Sequence, residues 1–348
     1  MTKISIMLFS GVVYLFAFIP HVIYPLVHNY LIMTTVSMIL LSVMVCLIAL
    51  IPHVIYFLAW MLGKCCRGNV KYAPFGWCAL ALALIVTVGF CYGNMAGRWQ
   101  TKQEPVELSF DNLPKSFDGY KIVHISDFHL ASFIGHEDML QRVVDEINAI
   151  DADIVCFTGD LVTFSASEVS QFTHILKNIK AKDGVVSVLG NHDYYPSDTA
   201  MTNAQRGLGW RMLNNENMVV KRGSEKIHIL GVKNEHSSGD EDNPVKYCDL
   251  EAAKKGVKGF CVLLTHNPAH WRAEVAGKED IPLTLSGHTH AAQLKLFEMT
   301  PASWMFTDAE GLCTEQKQHL YVNTGLGCTL PVRIGVPQEI TVITLKNG

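Results

Sequence analysis

The chain has 348 residues, 49% of them hydrophobic and only 17% charged, against roughly 25% charged in an ordinary soluble domain. The first 103 residues contain six basic residues and no Asp or Glu, so 22 basic and 32 acidic residues lie beyond them, a net −10 for that remainder. These numbers exclude a wholly soluble chain and a disordered one, and the acidic remainder argues against a nucleic-acid partner held by phosphate neutralisation.

Three apolar stretches, at about 4–27, 31–62 and 74–93, are each long enough to cross a bilayer, which takes about 20 helical residues. Together they predict an all-helical transmembrane region over residues 1–97. The middle stretch exceeds the hydrocarbon thickness and is expected to tilt, protrude or bend near Pro52. A repeat is visible here: LFAFIPHVIYPLV (15–27) matches LIALIPHVIYFLA (47–59), each copy closing a predicted span. His21 and His53 are either an intramembrane functional pair or, the reading we favour, interfacial anchors beside Tyr24 and Tyr56. The connection after the middle stretch carries Lys64, Arg67 and Lys71, whereas the one at about 28–30 has no Lys or Arg. Basic loops stay cytoplasmic, so three spans place everything after Trp99 on the outer side of a multi-pass cell-membrane protein. The ten cysteines show no C-x-x-C spacing and read as small buried apolar residues, not as a disulfide framework or zinc ribbon.

Residues 98–104 read as a linker. Beyond it, short β-rich runs alternate with helical segments: KIVHIS (121–126), DIVCFT (153–158), GVVSVL (184–189), KIHILGV (226–232), FCVLLT (260–265) and PLTLS (282–286), with amphipathic stretches at 136–150 and 168–179. This is an α/β pattern with buried sheets. HLYVN (319–323) and EITVITL (339–345) are close enough in sequence to form a terminal β-β pair.

The chemistry-bearing residues follow these runs. Just past successive strand ends stand Asp127-Phe128-His129, Gly159-Asp160, Gly190-Asn191-His192-Asp193, His266-Asn267 and Gly287-His288-Thr289-His290. Ligands of open α/β sheets gather at the carboxyl ends of strands, and the glycines permit the tight exits that aim side chains into one cleft. A single Asp-x-His or one His after a strand is usually structural, and His124, His136, His174, His228, His270 and His319 read as core, surface or helix-start residues. Five such motifs in order are a different matter. Two Asp, one Asn and four His make a mixed oxygen and nitrogen donor set suited to Mn, Fe or Zn. Seven donors exceed one ion's needs but serve two ions sharing a bridging carboxylate, for which Asp160 is the natural candidate. Two such ions clamp a phosphoryl group and activate a water.

These five motifs resemble those of the calcineurin-like metallophosphoesterase superfamily: D-x-H, G-D, G-N-H-D/E, H and G-H-x-H. The similarity is closest to its membrane-associated phosphodiesterases of the YkuE and YaeI type, through ISDFHL (125–130), TGDLV (158–162), LGNHDYY (189–195), LTHNP (264–268), SGHTHAAQ (286–293) and YVNTGLG…LPVR…PQEITVITL (321–345). It covers about residues 105–348. It implies a sandwich of two β-sheets flanked by helices (α-β-β-α). It implies one metal held by Asp127, His129, Asp160 and His290, and a second by Asp160, Asn191, His266 and His288. His192, with Asp193 behind it raising its basicity, is expected to stabilise the phosphoryl oxygen or protonate the leaving alcohol. Arg333 is expected either to contact phosphate or to form a salt bridge near the final strands. Two departures stand out: Ala291-Ala292 where the group usually has Gly-Gly, so a positive φ there would strain alanine, and Asn323-Thr324 where Ser-Arg is common.

The expected function is a membrane-anchored phosphoesterase with two divalent ions, manganese favoured, that hydrolyses phosphodiester or pyrophosphate bonds by attack of metal-bound hydroxide. The short distance in sequence between the last span and the catalytic half favours a lipid-linked or envelope substrate. The rival readings are a phosphomonoesterase or nucleotide phosphatase acting on a soluble substrate, and a non-catalytic metal-binding membrane sensor.

Overall fold

The computed structural model of the chain describes residues 25–65, 68–234 and 248–348. They fall into two units: one comprises the described residues up to Gly97 together with Leu330–Ile334, the other Arg98–Thr329 and Gly335–Gly348.

The first unit is built on two helices, α1 (Pro25–Cys65) and α2 (Ala73–Met95). Within it, Thr34–Cys65 is long and apolar enough to cross a membrane, and so is Ala73–Trp99. Leu47, Leu62, Leu84 and Ile85 turn outward, exposed, as lipid-facing residues would. The turn expected at 28–30 is absent, because α1 runs through those positions. Pro25 stands in the first turn, where its missing N–H costs nothing, and no Gly or Pro interrupts the sequence again before Pro52. Pro52 lies inside α1 without ending it, so the second repeat copy sits within a helix that continues to Cys65. His53 Nδ1 bonds the Ala49 carbonyl at 2.7 Å and its Nε2 the Tyr72 hydroxyl at 2.8 Å. Tyr56 meets the Tyr72 ring edge-on, so His53 joins an aromatic cluster. The expected first span up to residue 24, with His21 and Tyr24, lies outside the described residues.

The second unit is a four-layer sandwich. Its first sheet has the strand order β1-β12-β2-β3-β4-β5, formed by β1 (Thr101–Phe110), β2 (Lys121–Ile125), β3 (Ile154–Phe157), β4 (Val185–Ser187), β5 (Arg211–Met212) and β12 (Gln338–Asn347). The second runs β10-β11-β9-β8-β7-β6, formed by β6 (Glu216–Arg222), β7 (Glu225–Gly231), β8 (Cys261–Leu264), β9 (Leu283–Ser286), β10 (Gly311–Glu315) and β11 (Gln318–Val322). Strands β2 to β5 are parallel, as are β7, β8, β9 and β11. Alternation along each strand divides the core. Ile122, Ile154 and Val186 meet Ile227, Val262 and Leu283 between the sheets. On the outer face of the first sheet, Val123, Val155 and Phe157 pack on Leu140 and Val144 of α3 (Glu137–Ala149) and Phe172 of α4 (Ser167–Leu176). Leu230, Leu263 and Leu320 cover the far face of the second sheet with Leu250 and Trp271. Each such side chain contributes about 1.5–3 kcal/mol of burial.

Two sequence expectations change. Residues 101–104, expected as linker, already belong to β1, which pairs in parallel with β12 from Thr101↔Gln338 to Phe110↔Asn347. HLYVN and EITVITL do not pair: β11 lies between β9 and β10, while β12 lies between β1 and β2 in the other sheet. The connection from β11 to β12 is long enough to cross the roughly 10 Å between stacked sheets. His124, buried between the sheets, bonds Thr158 Oγ1 at 3.0 Å, and burial alone lowers its pKa to about 3. It is a neutral core histidine.

Candidate metal centre

Five of the seven expected ligands adopt left-handed backbone without being glycine: Asp127 (φ 53°), His129 (φ 43°), Asp160 (φ 60°), His288 (φ 75°) and His290 (φ 51°). Such conformations cost on the order of 1–3 kcal/mol each and cluster at functional sites. Hydrogen bonds between the loops hold them. Asp127 N–H donates to Gly159 O at 2.9 Å, His129 N–H to Asp160 O at 3.2 Å, and Gly287 N–H to His266 O at 3.0 Å. Two glycines are required by close approach: a Cβ at Gly190 would strike the Asp160 carboxylate, and one at Gly287 that of Asp127.

The donor atoms converge in two groups that share one carboxylate. In the first, His129 Nε2 lies 3.0 Å from His290 Nε2, 3.8 Å from Asp127 Oδ1 and 3.5 Å from Asp160 Oδ2, and His290 Nε2 lies 3.3 Å from Asp127 Oδ1. In the second, Asn191 Oδ1 lies 3.0 Å from His266 Nε2 and 2.9 Å from His288 Nδ1, while His266 Nε2 is 3.3 Å from the same Asp160 Oδ2. All seven expected ligands are thus brought together, with Asp160 common to both groups. The residues fit two cations: Asp127 Oδ1 is buried without a hydrogen-bond donor and lies 3.8 and 3.3 Å from the His129 and His290 Nε2 atoms, and the mixed donor set suits first-row divalent ions. His266 is aimed from behind, its Nδ1 on the Thr158 carbonyl at 2.8 Å, as metal-binding imidazoles commonly are.

Charge crowding matches this geometry. Burial pushes Asp160 up, but the imidazoles of His266 and His129 pull it further down, well below the usual carboxylate range. Burial lowers His266, and the adjacent Asp160 more than reverses this, to about 9. Burial, with Asp160 beside it, raises Asp127 to about 6 despite the opposing pull of His266. A buried cluster that favours both carboxylate and imidazolium is one in which a cation would compete with protons for the same donors.

Asp193 does not stand behind His192. Its Oδ2 accepts from Asp160 N–H and Gly190 N–H at 3.0 Å each, and its Oδ1 from Leu161 N–H at 3.0 Å and Val162 N–H at 3.4 Å. Every lone-pair direction is used on backbone, so Asp193 braces the turn that carries Asp160. His192 instead bonds the Thr163 carbonyl through Nδ1 at 2.8 Å, which leaves Nε2 as its working nitrogen. Its ring meets His129 at 4.7 Å, edge to face, and its backbone N–H donates to Asp160 Oδ1 at 2.8 Å. A second brace escaped the sequence reading. Glu168, in the first turn of α4 and fully buried, accepts from Ala131, Thr163, Phe164 and Ser165 N–H at 2.8–3.0 Å, tying the loop after His129 to the loop after Asp160. An acidic residue opening a helix ordinarily reads as a solvated dipole partner, and only its burial gives it away.

Ala291 (φ 47°) and Ala292 (φ 52°) do take positive φ, as Gly-Gly would. The buried Ala291 carbonyl accepts from Thr300 Oγ1 at 2.5 Å, which holds the turn. Asn323 and Thr324 serve the core: Asn323 Nδ2 donates to Thr341 Oγ1 at 2.9 Å, and Thr324 Oγ1 to Glu339 Oε2 at 2.8 Å. Arg333 lies in Leu330–Ile334, the segment grouped with the helical unit, where its backbone N–H donates to Gly93 O at 3.2 Å. It is fully buried.

Two predictions follow from this account of strain and bracing. Ala292→Gly removes left-handed strain of about 1–2 kcal/mol against a smaller gain in unfolded-chain freedom, and should raise stability by about 0.5–1 kcal/mol in thermal unfolding; an unchanged or lower midpoint contradicts the strained turn. Asp193→Asn replaces one accepting oxygen with an NH2 donor that faces two N–H groups, and should cost about 2–4 kcal/mol and lower metal content. The pH profile of residual activity should stay in place, whereas a His192–Asp193 dyad would shift it.

A family model described as calcineurin-like phosphoesterase matches residues 120–292. The uncharacterised metallophosphoesterase YkuE of Bacillus subtilis is 32% identical over 266 residues, covering 71% of this chain and 86% of that protein. A transmembrane protein with metallophosphoesterase domain from Danio rerio is 31% identical over 281 residues, covering 77% of this chain and 62% of its own length. A protein of the same name from Bos taurus is 28% identical over 305 residues, covering 83% of this chain and 67% of its own length. The chain thus spans just under two thirds of the zebrafish relative. With a matching family model and a relative matched over most of its length, the chain belongs to the calcineurin-like phosphoesterase family.

Proposed function

We propose that this chain is a membrane-anchored, manganese-favouring phosphodiesterase acting on a phosphodiester or pyrophosphate bond of a lipid-linked substrate. The observation that carries the reading is the sharing of Asp160 Oδ2 between two donor groups, one gathered on Asp127 and one on Asn191. Asp127, His129, Asp160 and His290 would hold one ion, and Asp160, Asn191, His266 and His288 the other. When bound, two such ions supply Lewis-acid polarisation of phosphoryl oxygens and an acidified water. The chain's own residues do the rest. His192, fixed through Nδ1, presents Nε2 to donate a hydrogen bond to a phosphoryl oxygen or a proton to the leaving alkoxide. Asp193 and Glu168 keep the ligand loops from relaxing, so little reorganisation remains for the reaction itself.

The lipid-linked part is supported by a loop beside the cluster. Thr289 Oγ1 bonds Ala309 O and Thr300 Oγ1 bonds Ala291 O, both at 2.5 Å, and the Phe306 ring meets His288 edge-on at 5.6 Å. Between these anchors Phe297 is 94% exposed, Trp304 88%, Met305 79% and Met299 70%. A cluster of large apolar side chains left in water marks a place for an apolar partner, and the two membrane-capable helices of the same chain make an acyl chain the natural one. The multi-pass arrangement with the catalytic unit outside rests on the basic loop and on a span within residues 4–27. Protease cleavage of the catalytic unit in intact spheroplasts agrees with it, and protection overturns it.

The purified full chain should hydrolyse bis(p-nitrophenyl) phosphate with Mn²⁺, and Asp160→Asn should lose at least a thousandfold. A preference for p-nitrophenyl phosphate would favour a monoesterase instead. Phe297→Ser combined with Trp304→Ser should lower kcat/KM for a long-chain acyl phosphodiester by a larger factor than for the nitrophenyl ester; equal factors remove the lipid reading.

A further inference from the structure

On the far side of the second sheet, three donor side chains that the phosphoesterase chemistry does not use come together. Cys248 precedes a short helical turn, α5 (Leu250–Ala253), and His270 ends another, α6 (Pro268–His270), which passes directly into a π-helical turn, Trp271–Val275, that carries Glu274. Cys248 Sγ lies 3.0 Å from His270 Nε2, and the same nitrogen lies 3.7 Å from Glu274 Oε2. All three donor atoms fall within 4.8 Å of one another. Zinc bonds of about 2.0–2.3 Å to nitrogen, oxygen and sulfur set donor separations of about 3.4–3.6 Å in a tetrahedron, which the observed values straddle.

We propose that Cys248, His270 and Glu274 form a mononuclear site for a zinc-class divalent cation, separate from the cluster around Asp160. Four observations converge. A thiolate, an imidazole and a carboxylate make a donor set of zinc type, softer than the sulfur-free set of the other cluster. Cys248 and His270 are both buried, and Cys248 packs in the apolar cluster that contains Leu250 and Trp271. The π turn is a rare distortion that concentrates at functional sites, and here it carries Glu274, whose carboxylate reaches His270. An open cavity of about 360 Å³ borders Cys248 and Glu274, and Asp249, Glu251 and Glu279 add acidic groups to its wall. Lys254 pairs with Glu251 and Glu279, which leaves the cavity's remaining carboxylates to attract a cation. With three protein ligands, the fourth coordination position opens on that cavity. The ion clamps the segment before α5 to the π turn, and its binding releases the Cys248 thiol proton to solvent.

The test uses the full chain purified in detergent, stripped with a chelator and titrated with Co²⁺. A near-ultraviolet thiolate-to-cobalt charge-transfer band should grow to saturation with the intensity of one thiolate ligand, and it reports this site alone because the cluster around Asp160 contains no sulfur. It should vanish in Cys248→Ser and persist in Cys313→Ser. Glu274→Gln, a partly exposed position that leaves the packing intact, should weaken cobalt binding at this site at least tenfold. Absence of the band in the unaltered chain, its persistence in Cys248→Ser, or unchanged affinity in Glu274→Gln overturns the site.

Discussion

The arrangement of the catalytic unit turns on one carboxylate. Asp160 Oδ2 faces His129 from one donor group and His266 from the other, so two cations are possible only while this oxygen stays where it is. Its backbone is left-handed, a conformation that an aspartate does not keep unaided. Three contacts over-determine it: the Asp160 N–H on Asp193, the His192 N–H on its Oδ1, and the absence of a Cβ at Gly190. The strain at the ligand turns is therefore borne by buried carboxylates that face backbone. Asp193 and Glu168 between them accept eight backbone N–H bonds.

The sandwich explains why the donors divide as they do. Asp127, Asp160 and Asn191 follow β2, β3 and β4 of the first sheet, while His266, His288 and His290 follow β8 and β9 of the second. Each donor group draws on both sheets. Bound ions would cross-link the two halves of the core at one end, and metal binding contributes to folding stability as well as to chemistry. The exit of β9 leads on into the loop that carries the exposed Phe297 and Trp304, and Phe306 of that loop meets His288.

Much of this was legible in the sequence, for a physical reason. The central strands are buried on both faces and read as continuous apolar runs, and the candidate donor residues follow them directly, so the residues that converge in space stand at strand ends in the sequence. The four strands without a sequence signal, β1, β5, β6 and β10, are the four edges of the two sheets. An edge strand pairs on one side only and keeps polar residues, as TKQEPVELSF and GLCTE do. Side-chain partners across space were not legible either. Asp193 beside His192 in sequence suggests a dyad, yet its carboxylate turns to the backbone of residues 160–162. Glu168 looks like a solvated helix opener, and Cys248 and His270, 22 positions apart, look like two unrelated core residues. In the helical unit, the break expected at 28–30 does not occur, because nothing in that stretch stops a helix.

The central claim is that Asp160 is shared by two ions. The most direct measurement is electron paramagnetic resonance of the full chain loaded with two equivalents of Mn²⁺. The account predicts an exchange-coupled multiline spectrum in the unaltered chain that gives way to isolated-ion signals in Asp160→Asn, with Asp127→Asn weakening one ion only. Isolated-ion signals in the unaltered chain, or coupling that survives Asp160→Asn, would contradict it.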